Sequence, residues 1–211
     1  MSTNVAVIGG GISGAAAAYY LAKRGAEVTL LEQGDNLGNG STPRAAGGIR
    51  SLYSTPVHVE LSLASRKVWS TFEDDFSIPI DYEENGYLFG VRNRTQYERL
   101  RKAVIMQNQM GLETELLTPE EASEIVPEMK TENYVAAAWS EKDALLDPHA
   151  ALQAFGQLAR ENDAEVRVQS KVTGVEQNGN DRVTGVEINE EETLDTDYVV
   201  NAAGSWGQPI S

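Results

Sequence analysis

Cysteine is absent from the 211 residues, which removes disulfides, thiolate metal sites and Cys-based redox or nucleophilic chemistry together. Histidine is nearly absent: with only His58 and His149, no histidine-rich metal centre is expected. Neither has a sequence neighbour that would make it a catalytic base. No apolar run reaches the roughly 20 residues that span a bilayer. The chain enters its first strand-like run at Val5, leaving no room for a secretion signal, so a cytoplasmic location is expected.

Positive charge is also scarce. Thirty-two acidic residues against 17 basic ones give a formal net charge of −15, which makes nucleic acid and anionic membranes repulsive partners. The acid is dispersed in short clusters such as Glu73-Asp74-Asp75 and Glu190-Glu191-Glu192, and arginine outnumbers lysine. This reads as a surface adapted to high salt, where screening permits a charge that would otherwise repel itself.

What is present is organised by period and punctuation. Val5 to Ile8 is a β-branched apolar run, Ile12 to Arg24 is alanine-rich and helix-favouring, Gly25 is a stop, and Val28 to Leu31 is a second buried strand, which makes a βαβ unit. Leu37 to Arg50 reads as a loop with a short helical turn. Thr55-Pro56 then predicts a helix whose apolar residues Leu61, Ala64, Val68, Phe72 and Phe76 form one buried face. Thr118-Pro119, with Glu121 at the capping-box position, and Asp147-Pro148 open two further helices, the first stopped by Pro127.

Strands are expected at Gly86 to Val91, Thr114 to Leu117, Tyr134 to Trp139, Glu165 to Val168, Lys171 to Gln177, Arg182 to Ile188 and Tyr198 to Asn201, with a hairpin at Asn178-Gly179-Asn180. Trp69 and Trp139 are assigned to packing. No internal repeat or low-complexity segment interrupts the pattern. The expected fold class is α/β: a Rossmann-like nucleotide-binding domain, residues 1–80 and 144–211, interrupted by an inserted and incomplete α+β substrate domain, residues 81–143.

Gly9, Gly11 and Gly14 stand as GxGxxG, with Gly10 an extra glycine. The first permits the tight turn, the second lets the backbone approach a pyrophosphate, and the third lets helix and strand pack closely. Glu32 closes the second strand, where a carboxylate accepts from both ribose hydroxyls and repels a 2′-phosphate, so NADP is disfavoured. The motif alone leaves FAD and NAD open.

Further stretches in order along the chain, "NGSTPRAAGGIRSLYSTP", "NGYLFGV", "LTPEEASEIVPEM", "LLDPHAALQAF" and "DYVVNAAGSWG", give it a family likeness. It resembles the FAD-dependent oxidoreductases of the D-amino acid oxidase, glycine oxidase and sarcosine oxidase group, and looks most like the sarcosine oxidase β-subunit and its dehydrogenase relatives. The resemblance implies FAD, bound through Gly9, Gly10, Gly11, Ile12, Ser13, Gly14, Glu32 and Gln33, through Ser41, Thr42, Ala46, Gly47 and Gly48 of the following loop, through the main chain at Val172, and through Ala203, Gly204 and Trp206. Arg50 matches an arginine that pairs with the substrate carboxylate. Gly47 stands where the monomeric sarcosine oxidases carry an arginine beside the flavin, a departure from their pattern.

What the resemblance implies is oxidation of the C–N bond of a small amino acid or N-methyl amino acid, such as sarcosine, glycine, proline or a D-amino acid, by hydride transfer to flavin. No general base is assigned and no metal is expected. Family members are longer, so the sequence reads as the N-terminal part of an oxidoreductase, cut from a longer chain or completed by a second polypeptide, and an oligomer is expected. The alternatives are a non-catalytic FAD-binding module and, from the glycine motif alone, an NAD-dependent dehydrogenase.

Overall fold

A computed structural model describes residues 2–180 and 182–207, and the chain divides into two compact units, Met1–Ala46 with Pro148–Ser211, and Gly47–Asp147. β1 (Asn4–Ile8), α1 (Ile12–Ala22) and β2 (Glu27–Leu31) lead through a 3-10 turn, Thr42–Arg44, to the second unit. That unit runs β3 (Gly48–Ile49), α2 (Pro56–Trp69), α3 (Phe72–Phe76), β4 (Tyr87–Val91), α4 (Arg94–Gln109), β5 (Thr114–Leu117), α5 (Pro119–Ile125), β6 (Ala136–Ser140) and β7 (Ala144–Leu145). The first unit resumes with α6 (Pro148–Glu161), β8 (Glu165–Arg167), β9 (Val172–Gln177), β10 (Val183–Ile188), β11 (Glu192–Asp195) and β12 (Tyr198–Asn201).

In the first unit, β1 and β2 pair in parallel, β8 adds beyond β2, and β12 adds on the other side of β1, giving the order β12-β1-β2-β8. Val5, Ala6, Val7 and Ile8 are all buried, as expected of a parallel strand covered on both faces. Alternation along the strand sends Ala6 and Ile8 to one face, where they join Leu31, Val172, Val186 and Ile188 beneath the antiparallel meander β9-β10-β11. The helices α1 and α6 pack together, with the Tyr19 and Phe155 rings 5.8 Å apart. Gly25, at φ +87°, turns the chain out of α1 and into β2.

The second unit has its own core. Val91, Leu100, Val104, Ala136 and Ala138 cluster where α4 covers the antiparallel sheet β4-β6-β5. α4, the longest helix, is absent from the sequence expectations. Its start is capped by Asn93, whose Oδ1 accepts from the Gln96 N–H at 3.0 Å. The Trp139 ring lies over Gly86, where an added Cβ would come within 1.9 Å of it. β3 pairs with β7, Gly48 opposite Leu145 and Ile49 opposite Ala144.

Three expectations are corrected. The boundaries placed residues 47–80 in the nucleotide domain, whereas they pack as part of the second unit together with residues 144–147. The helix expected from Pro56 through Phe76 breaks into α2 and α3. Its expected buried face is mostly open: Val59 is the buried residue of α2, and Leu61 is 60% exposed. Apolar spacing defines a stripe but does not state what covers it. Phe72 alone of the five expected positions is fully buried, between the rings of Trp69 and Phe76.

Candidate functional site

A crevice of about 760 Å³ opens in the first unit at the C-terminal ends of β1, β2 and β12. β2 lies on one side of β1 and β12 on the other, so the crevice sits at the switch point where open parallel sheets take ligands. Gly9, at φ +106°, makes the turn out of β1, and a Cβ there would lie 2.6 Å from the Ala202 carbonyl oxygen. A Cβ on Gly14 would fall 1.9 Å from the Gly9 carbonyl oxygen. Gly14 therefore serves helix packing rather than the crevice. Gly11 is different, because an added Cβ would meet only Thr42 Oγ1, at 3.4 Å.

Gly11 is also the N-cap of α1 and supplies no capping side chain, and no acidic residue occupies the first turn. The first amides of a helix lack intrahelical acceptors, and Thr42 Oγ1 accepts one of them, the Ile12 N–H, at 3.1 Å. A pyrophosphate laid along this turn would meet main-chain donors and the positive end of the helix dipole.

Glu32, at the tip of β2, is buried. Its Oε2 accepts from the Gly10 N–H at 2.7 Å and its Oε1 from the Gly34 N–H at 2.8 Å. Each carboxylate oxygen retains a second lone pair, so the same group can hold two ribose hydroxyls. The main chain of β8 and the turn after it secures this tip: Glu32 N–H donates to the Arg167 oxygen at 2.9 Å and Ser170 N–H to the Glu32 oxygen at 2.8 Å. Asn189 pins that turn, accepting from Lys171 N–H and donating to the Gln169 oxygen, both at 3.0 Å. A dinucleotide fits these observations, with an acid for its sugar, a bare helix start for its phosphates and a cradle that a side chain at Gly11 would enter.

Of the residues anticipated from sequence, Gly9, Gly10, Gly11, Ile12, Ser13, Glu32, Gln33, Ser41, Thr42, Val172, Ala203, Gly204 and Trp206 line this crevice. Val172 does so while its side chain is buried in the core beneath the meander. Gly14 and Ala46 do not line it; Gly14 is consumed by packing and the wall ends at Ala45. Gly47, Gly48 and Arg50 belong to the second unit. Lining residues that sequence reading missed include Asn39, Gly40, Lys171, Thr173 and Glu190. Adjacency to Ser41 and Val172 could have found the first four, whereas Glu190 arrives only through the turn between β10 and β11.

In the second unit, the Arg50 guanidinium lies 4.7 Å from the Tyr53 ring centroid and 5.8 Å from that of Tyr87. Among the described residues, no carboxylate lies within ion-pair distance of it. Nor do the described residues include a cluster able to hold a metal ion, or a helix long and apolar enough to cross a membrane.

Comparison with known proteins agrees with this geometry. The family model described as "DAO: FAD dependent oxidoreductase" matches residues 4–211. Human mitochondrial sarcosine dehydrogenase is 29% identical over 214 residues, covering 99% of this chain and 23% of that protein. The structure of L-proline dehydrogenase from P. horikoshii superposes with a TM-score of 0.90 at 34% identity, over 99% of this chain and 55% of the other. Glycine oxidase from Bacillus cereus gives 0.80 at 28%, over 99% and 57%. The chain thus spans 23% of this curated relative and just over half of each solved structure.

Proposed function

The chain belongs to the DAO family of FAD-dependent oxidoreductases, and from that premise we propose that it serves oxidation of the C–N bond of a small amino acid or N-methyl amino acid. The flavin, when bound, supplies the hydride acceptor; the protein supplies binding, orientation and electrostatics. Gly11, Ile12 and Ser13 present the helix start to the pyrophosphate, Glu32 takes the ribose, and Thr42, Ala203, Gly204 and Trp206 line the remainder of the crevice.

The observation that carries the substrate class is Arg50. A guanidinium held by two tyrosine rings, with no ionic partner among the described residues, is a fork matched to an incoming carboxylate. Cation–π contact fixes the group without neutralising it. Relatives named for sarcosine, L-proline and glycine support a small amine-bearing acid as the substrate.

The purified chain is expected to carry visible flavin absorption and to be bleached anaerobically by sarcosine, glycine or proline. Arg50→Lys is expected to weaken the effective substrate roughly tenfold or more, because a point charge cannot replace bidentate pairing. Flavin absorption with no bleaching by any amino acid would leave a FAD-binding module, and an absent flavin would overturn the reading. We further propose association with a second copy or a completing chain, supported by the exposed Val57 and Leu61 of α2. Sedimentation as a monomer alone would remove that part.

A further inference from the structure

We infer that Asp143 is a positioning residue for the Arg50 guanidinium: one buried residue fixes both the segment that carries Arg50 and the segment that carries one of its two tyrosine walls. This rests on the reading of Arg50 as the carboxylate anchor and names what holds that anchor in place.

Asp143 is completely buried in the second unit. Its Oδ2 accepts from the Ser51 N–H at 2.8 Å, across 92 residues of sequence, and Ser51 is the residue after Arg50. Its main-chain oxygen accepts from the Gly86 N–H at 2.8 Å, and Gly86 is the residue before Tyr87. The two residues after Asp143 supply the strand pairs Ala144 with Ile49 and Leu145 with Gly48. The backbone on both sides of Arg50 therefore hangs from residues 143–145, and the Tyr87 segment hangs from the same point. A shift of Asp143 moves the guanidinium and one of its walls together.

Burying a carboxylate is costly unless it is paired. Here Arg66 Nη1 faces Asp143 Oδ1 at 3.8 Å and reaches Ser51 Oγ at 3.5 Å. Oδ1 has no hydrogen-bond donor among the described residues. Ser51 is consequently held from two sides, its amide by the acid and its hydroxyl by the arginine. The Ser51 amide is what ties a residue with no regular ladder partner to the short β3–β7 pair. Without it, the two strand residues and the long Arg66–Ser51 contact would be left to define the placement of Arg50.

The test uses the FAD-loaded chain, labelled with ¹⁵N, and reads the Arg50 Nε–Hε resonance by NMR. Lying over two tyrosine faces, this proton is expected to be displaced upfield in the wild type. Asp143→Ala is expected to lose most of that displacement, and Asp143→Asn, which still offers an oxygen to the Ser51 amide, to keep most of it. Leu100→Ala, which opens the core under α4, is expected to keep it at matched temperature relative to the unfolding midpoint. If Asp143→Ala does not fold, Asp143→Ser carries the same expectation, because its hydroxyl is too short to reach the amide. An alanine or serine variant with the wild-type displacement overturns the inference.

Titration with acetate separates this from the anchor reading. Asp143→Ala is expected to weaken acetate roughly tenfold or more, since misplacing a binding group by an ångström is felt at that scale. Should the wild-type Arg50 resonance ignore acetate, the anchor reading falls while the positioning inference is decided by the displacement alone. Should the displacement vanish in Asp143→Ala while acetate binds within twofold of wild type, the positioning inference stands and the anchor reading falls, because a displaced guanidinium that leaves acetate binding unchanged is not what holds the carboxylate.

Discussion

At the scale of single residues, two glycines three positions apart carry opposite burdens. A Cβ at Gly14 would sit 1.9 Å from the Gly9 main-chain oxygen, so that backbone itself would have to shift. Gly14→Ala is therefore expected to cost roughly 3 kcal/mol or more in urea unfolding of the cofactor-free chain. Gly11→Ala, with only Thr42 Oγ1 nearby at 3.4 Å, is expected to lose about 1 kcal/mol as an N-cap change and yet bind FAD at least about tenfold more weakly, because the methyl would enter the proposed phosphate cradle. Equal destabilisation by both substitutions would contradict the distinction. Glu32 shows how a residue legible in sequence can do more than its motif states. Its two oxygens already hold the Gly10 and Gly34 amides, so it shapes the turn before any sugar arrives.

At the scale of elements, α5 is where local signals were sufficient. Thr118 Oγ1 accepts from the Glu121 N–H at 3.2 Å while Glu121 Oε2 accepts from the Thr118 N–H at 2.8 Å, a complete capping box. The Thr118 backbone amide, then its hydroxyl, hold the Glu121 carboxyl below its ordinary value of 4.5. A depressed carboxylate stabilises the folded state above its unfolded pKa, and the contribution disappears as pH falls through the folded value. The stability gap between wild type and Glu121→Gln is expected to be constant at neutral pH and to close on acidification below about 4.5; urea unfolding at a series of pH values checks it, and a gap that widens would reverse the assignment. Thr118→Ala is expected to cost about 1 kcal/mol. α4 was missed although it runs for 16 residues, because its polar surface is dense and its buried residues Leu100, Ala103, Val104 and Gln107 include a glutamine. The Gln107 side chain donates to the Tyr53 oxygen at 2.7 Å, a tertiary partner that no local pattern announces. Likewise, the apolar stripe on α2 was visible but its exposure was not.

At the scale of the whole molecule, charge dominates. A net charge of −15 on 211 residues repels itself over a Debye length of about 10 Å at 0.1 M salt and far less over about 3 Å at 1 M. The unfolding midpoint is expected to rise by several degrees between dilute buffer and 2 M KCl, as calorimetry would show; full stability in dilute buffer would contradict the high-salt reading. The same excess of acid is not uniform in effect. Arg167 forks onto Glu192 at 2.9 and 2.5 Å and holds that carboxyl below its ordinary range, joining β8 to β11 within the acidic surface.

The sequence alone determined the opening βαβ unit, the glycine turn, the acid at the tip of β2 and the helix starts at Thr118 and Pro148, since each depends on neighbours within a few residues. Only the tertiary structure decided where the second unit begins, which apolar stripe is covered, and that Asp143 reaches Ser51 across 92 residues. Those outcomes follow from packing and from hydrogen bonds between distant segments, whose partners are chosen by the folded backbone and leave no periodic trace along the chain.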